Sequence, residues 1–170
     1  MGRVAAIGFW LALALMPAFG DSAMLHRAVA DAVIAFERAR PALGSVLAGV
    51  DIARYGAALV EQRVGSGRVN YVLSGESDPG CARFAAYVAP VEGPAGRFVF
   101  VCPTFFSSGA DSLRRLTILH ELVHVVSDAD ECRAMAFAAA VEQAALGRFT
   151  AVHAYWQRNG CAGSPYSLPR

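Results

Sequence analysis

The chain has 170 residues, with 15 basic and 14 acidic side chains, a formal net charge of +1 and 55% hydrophobic content. That length suits one domain with a sizeable core. The near-neutral balance argues against nucleic acid as a partner.

Met1-Gly2-Arg3 supplies a short basic start, Val4 to Met16 is an apolar run before Pro17, and Ala18-Phe19-Gly20 offers small residues where a signal peptidase reads. Residues 1–20 are therefore expected to be a secretory signal cleaved after Gly20. About 13–16 apolar residues is short for a membrane span of about 20. Residues 21–170 are thus expected to be an exported domain, secreted or periplasmic, monomeric and with no membrane association after cleavage. Cys81, Cys102, Cys132 and Cys161 form an even set in a small exported chain, which reads as two disulfides. Three pairings are possible; the sequential one, Cys81 with Cys102 and Cys132 with Cys161, is preferred. No C-x-x-C pair is present, which argues against a structural zinc cluster.

Leu25, Val29, Val33 and Phe36 share one face, predicting a helix over 24–40 ended by Pro41. A second helical stretch over 46–63 is interrupted by Gly49 and Gly56. Gly65-Ser66-Gly67 reads as a turn. Strands are predicted over 68–73, 84–88 and 97–102, which are rich in Val, Phe and Tyr. A helix follows, started by Asp111 or Ser112 and carrying Leu113, Leu116, Leu119, Val123 and Val126 at helical spacing. After a polar loop over 127–130 comes a long helix over 131–146. Helices, then a small sheet, then helices give an α+β domain of zincin-like plan.

The penultimate helix holds the most informative residues, His120-Glu121-Leu122-Val123-His124. This is H-E-x-x-H, the helical zinc signature of metallopeptidases. At about 3.6 residues per turn, two imidazoles four apart reach one ion from a single face. The residue between them points elsewhere and suits a general base rather than a ligand. A pair of core histidines beside a surface Glu is the structural alternative, but it explains neither the second His nor the Glu.

Cys81, then Ala86-Tyr87-Val88-x-Pro90, then Val101-Cys102-Pro103-x-Phe105-Phe106, then Leu119-His120-Glu121-x-x-His124 resembles the deuterolysin and peptidyl-lysine metalloendopeptidase family, the aspzincins. The match covers roughly 81–156, about half of the expected mature chain. The resemblance implies zinc bound by His120, His124 and a downstream Asp, Glu121 activating water, and Cys81 linked to Cys102. Registering the following segment on the Ala-rich helix puts Asp130 on the ligand Asp. It puts Arg133 where the family has a transition-state Tyr. The family's acidic, lysine-binding segment corresponds to 150–159, where no acidic residue occurs and Arg158 reverses the local charge. Lysine specificity is therefore not implied. All fifteen basic residues are arginine; GC-rich coding explains this more simply than a lysine-directed protease sparing itself.

A catalytic zinc takes three protein ligands and leaves a position open. Asp128, Asp130, Glu131, Glu142 and His153 are candidates for the third. Asp130 is preferred from the register. Glu131 opens a segment, Glu131-x-x-Ala134-x-x-Phe137, that is similar to the third-ligand helix of glutamate-type zincins. Asp128 and Asp130 would serve equally as helix caps. Arg133 is a candidate oxyanion donor, or else a surface ion pair with Asp130 or Glu131. Tyr155 and Trp156 fall where the family has aromatics near its cleft, although core packing is the commoner role for such residues. His153 has a similar status, and His26 reads as solvated.

The expected function is a secreted Zn2+-dependent endopeptidase acting on peptide or protein substrates. The alternatives are a non-catalytic zinc-containing binding domain, which the missing Tyr favours and the intact Glu121 disfavours, and an amidase acting on a non-protein amide.

Overall fold

The second half of the helix carrying the two histidines, residues 118–126, is enclosed on nearly every side, and the molecule is arranged around it. The computed structural model of the protein describes residues 19–89, 96–107, 109–127 and 130–170. All but the last two residues of the expected signal lie outside this set. Three helices pack on the motif helix, α4 (Asp111–Val126): α1 (Phe19–Ala39), α2 (Ile52–Val60) and α5 (Glu131–Leu146). Two shorter helices, α3 (Pro103–Phe106) and α6 (His153–Arg158), complete the α layer. None of the described helices is long and apolar enough to cross a membrane.

Close packing follows from side-chain size. Ala28, Ala32, Ala35 and Ala39 line the buried side of α1, and Ala134, Ala138 and Ala139 are fully buried on α5. Small side chains let backbones approach, and larger ones then fill the remaining space. Phe36, Tyr55 and Phe137 form an aromatic chain, with ring centroids 5.2 Å and 4.5 Å apart. The Tyr55 hydroxyl donates to the carbonyl of Leu119 at 2.8 Å, fixing α4 one residue before His120.

A four-stranded sheet has the order β3-β4-β6-β5, built from β3 (Arg63–Val64), β4 (Gly67–Leu73), β5 (Ala86–Ala89) and β6 (Arg97–Val101). β4 and β6 run parallel, with Val69 opposite Arg97, whereas β5 is antiparallel to β6, with Tyr87 opposite Phe100. β5 is an edge strand and packs beside α4. At Gly96 (φ 102) a Cβ would lie 2.1 Å from the Arg68 carbonyl oxygen, so the parallel ladder can begin only at glycine. A second sheet is the small hairpin of β1 (Val46–Leu47) and β2 (Val50–Asp51).

Among the described residues, six helices and two small sheets make this a small α+β domain, as expected. The expected helix over 46–63 is instead a hairpin, α2 and the first residues of the sheet. Gly49 (φ 75), Ala48 (φ 49) and Gln62 (φ 52) adopt left-handed backbone that a continuous helix excludes. The start of α4 differs in detail. Ala110 occupies the N-cap without a side-chain bond, and Asp111 pairs with Arg114 at 3.0 Å. Leu113 is exposed rather than in the core.

Both disulfides take the preferred pairing. Cys81–Cys102 joins the turn before β5 to the end of β6, and Cys132–Cys161 joins the first turn of α5 to the segment after α6.

Candidate metal centre and cleft

α4 ends at Ser127, whose hydroxyl and amide both bond the Val123 carbonyl. α5 begins only four residues later, so its first turn lies against the last turn of α4. Asp130 is the N-cap of α5; its Oδ1 accepts from the Arg133 amide at 2.8 Å, satisfying a free helix-start donor. That bond directs the Asp130 carboxylate to its own helix and leaves Glu131 to face α4.

His120, His124 and Glu131 converge with ligand atoms all within 4.8 Å of one another. His120 Nε2 lies 3.2 Å from His124 Nε2 and 3.0 Å from Glu131 Oε2, and His124 Nε2 lies 3.7 Å from Glu131 Oε1. Zinc–ligand bonds of about 2.0–2.2 Å at tetrahedral angles require ligand-to-ligand edges of about 3.3–3.6 Å. The two imidazole nitrogens lie just inside that separation, and each faces a different oxygen of the Glu131 carboxylate. Two imidazole nitrogens and a carboxylate are also the donor types zinc accepts, so the residues fit the ion.

Protonation states favour ligation. Burial, outweighing the opposing pull of Glu131, pushes the His120 pKa down and keeps its ring neutral. Hydrogen bonding to His120 and then His124 holds the Glu131 carboxyl far below the usual carboxylate range, so it stays ionised. A neutral imidazole beside a carboxylate anion is the pair a cation needs. His120 Nδ1 is buried without a hydrogen-bond partner among the described residues, so none of them fixes the ring from behind.

Glu121 is 6% exposed and makes no hydrogen bond to a described residue. Burial first, and the Glu131 charge second, push its carboxyl well above the ordinary range. It opens onto a cleft of ≈ 800 Å³ that also receives His120, His124, Glu131 and Tyr155. One wall is β5 with the turn before it; the other is α6.

The sequence-based candidates separate clearly. His120, Glu121 and His124 come together as expected. The register-based choice of Asp130 for the third ligand is corrected, because the carboxylate in the group is Glu131. Arg133 is not at the cleft. Its guanidinium Nε donates to the Tyr166 hydroxyl at 2.8 Å, and it pairs with neither Asp130 nor Glu131. Glu142 is fully buried; its Oε1 meets Arg115 at 2.6 Å and its Oε2 accepts from the Thr150 amide at 2.7 Å. His153 is exposed beside Phe149, His26 is exposed, and Asp128 lies outside the described residues.

Tyr155 is the site residue undervalued by the sequence. Its hydroxyl donates to Glu131 Oε2, and its ring stands edge-on to His120 at 5.9 Å. Burial and the Glu131 bond raise its pKa, so the hydroxyl keeps its proton. Trp156, its neighbour, is core.

No protein-family model, no curated protein and no solved structure matches this chain. The case for function therefore rests on the geometry and on the motifs themselves.

Proposed function

We propose that this protein is an exported zinc-dependent endopeptidase of zincin-like plan, with His120, His124 and Glu131 holding the metal and Glu121 as general base. The observation that carries the reading is the meeting of three ligand atoms at one end of a cleft that also receives the Glu121 carboxylate. The motif framing around Cys81 and Cys102 still resembles the aspzincins, but a glutamate occupies the third position of the group. Two disulfides suit an oxidising compartment, which supports export.

A divalent ion held by the three residues supplies a Lewis acid that acidifies water and polarises a carbonyl. Glu121 takes the proton from the attacking water and returns it to the departing amine. Burial raises its pKa, which strengthens its hold on the transferred proton. Tyr155, protonated beside Glu131, donates to the oxyanion as it develops. This is the role that the sequence register had suggested for Arg133.

The test is digestion of a mixed peptide library by the mature protein, with and without zinc, read by mass spectrometry against Glu121→Gln. New termini that need both zinc and Glu121 are expected. Identical product lists from wild type and variant would overturn the enzyme and leave a metal-binding domain.

A further inference from the structure

The cleft walls carry a charge pattern that the hydrolysis chemistry does not use. Arg83, Arg97 and Arg158 all line it, and all three are exposed. Among the described residues the acidic lining side chains are Glu121 and Glu131, the proposed general base and metal ligand. Over the whole chain, acids and bases nearly balance at 14 and 15, so three arginines with no further acid among the described lining residues is a local excess. None of the three makes an ion pair with a described residue; Arg83 lies over the Phe84 ring at 5.4 Å.

Their placement is ordered. Arg83 precedes β5, and Arg97 opens β6 beside the other end of β5, where Ala89 pairs with Phe98. A four-residue strand spans roughly 10 Å at about 3.3 Å per residue. Two cations thus flank this wall near its two ends. Arg158 stands on the opposite wall, one helical turn beyond Tyr155. Guanidinium groups are permanently charged and bind carboxylates through paired N–H donors. A cleft lined by one sign of charge also concentrates ligands of the other.

Resting on the hydrolase reading above, we propose that Arg83, Arg97 and Arg158 make this a carboxylate-selecting cleft, taking anionic peptide segments in preference to neutral or basic ones. The exposed side chains of Phe84 and Leu113 at the same cleft add apolar contact beside the charges.

Binding to zinc-loaded Glu121→Gln separates selection from turnover. Three fluorescent peptides of one length are compared by anisotropy: an Asp/Glu peptide amidated at its C-terminus, its amidated Asn/Gln counterpart, and that counterpart with a free C-terminus. A carboxylate-bearing peptide is expected to bind about tenfold more tightly than the neutral one, as about two- to fivefold per partly screened pair implies. Which of the two does so locates the carboxylate, in a side chain or at the chain end. The preference should shrink in high salt. It should also vanish in Arg83→Gln/Arg97→Gln/Arg158→Gln, whose exposed positions leave folding intact by circular dichroism. Equal binding of all three peptides overturns the proposal, as does a preference that survives in the triple variant and so comes from the metal alone. The same binding can be measured on wild type with chelator present. Failure of wild type to cut a peptide that Glu121→Gln binds selectively would sink the hydrolase reading and spare the selectivity. Cleavage without selectivity would do the reverse.

Discussion

The Tyr155 hydroxyl and His120 Nε2 meet on one atom, Glu131 Oε2, to which the hydroxyl donates and from which the imidazole nitrogen lies 3.0 Å away. A residue from α6 thereby shares its contact with a residue from the centre of α4. Phenylalanine at 155 would keep the ring packing and remove only the donor. Tyr155→Phe is expected to retain stoichiometric zinc by elemental analysis while kcat falls about 100-fold, the usual cost of an oxyanion donor. A fall in zinc content instead would assign Tyr155 to ligand support.

The neighbours Asp130 and Glu131 should have separable effects. Glu131→Gln is expected to lose zinc after dialysis against a weak chelator that leaves wild type loaded. Asp130→Ala should keep its zinc and lose about 1 kcal/mol of stability through the missing N-cap. For a domain of this size that is about 2–4 °C in Tm by calorimetry.

The pair of half-buried Arg115 and fully buried Glu142 joins α4 to α5, and Glu142 also holds the Thr150 amide just before α6. Removing one partner strands the other. Arg115→Ala should cost about 3–5 kcal/mol in urea unfolding. Any folded fraction should turn over more slowly, because Thr150 leads into the helix that carries Tyr155.

Asp78 supplies a pH signature away from the metal. The Tyr87 hydroxyl, then Ser74, bond its carboxylate and hold its pKa below the ordinary value. A depressed folded pKa stabilises the fold fully above the unfolded pKa, about 3.9. That contribution is lost as pH falls through the lower folded value. Thermal melts between pH 6 and pH 2 should therefore fall more steeply for wild type than for Asp78→Asn, and the two curves should converge at the acid end. Parallel curves would show that this carboxylate contributes no such dependence.

Much of this architecture is legible in the sequence because single-period patterns carry it. The buried face of α1, the spans of α4 and α5 and the strands around Tyr71, Val88 and Val99 follow from periodicity alone. So does the facing of His120 and His124, which the helical repeat imposes. Which carboxylate joins the two imidazoles was not legible, for a physical reason. Asp130 and Glu131 are adjacent carboxylates at a helix start, where capping and ligation compete for the same chemistry. Side chains of consecutive residues diverge by about 100°, so a shift of one position exchanges their roles. Tyr155 was undervalued because its contact with Glu131 spans 24 residues and no local pattern announces it. Arg133 was misplaced because its partner, Tyr166, lies still further along the chain.

Cys132 and Cys161 bind the first turn of α5, where Glu131 sits, to the end of the short helix bearing Tyr155. While both thiols stay reduced, the two flanks of the group have no such covalent tie, and α6 must hold its position by packing and hydrogen bonds. A closed loop of this length is worth about 3–4 kcal/mol in chain entropy. Under the proposed reading, the pairing of Glu131 with Tyr155 is thus backed by a bond that reducing conditions would remove.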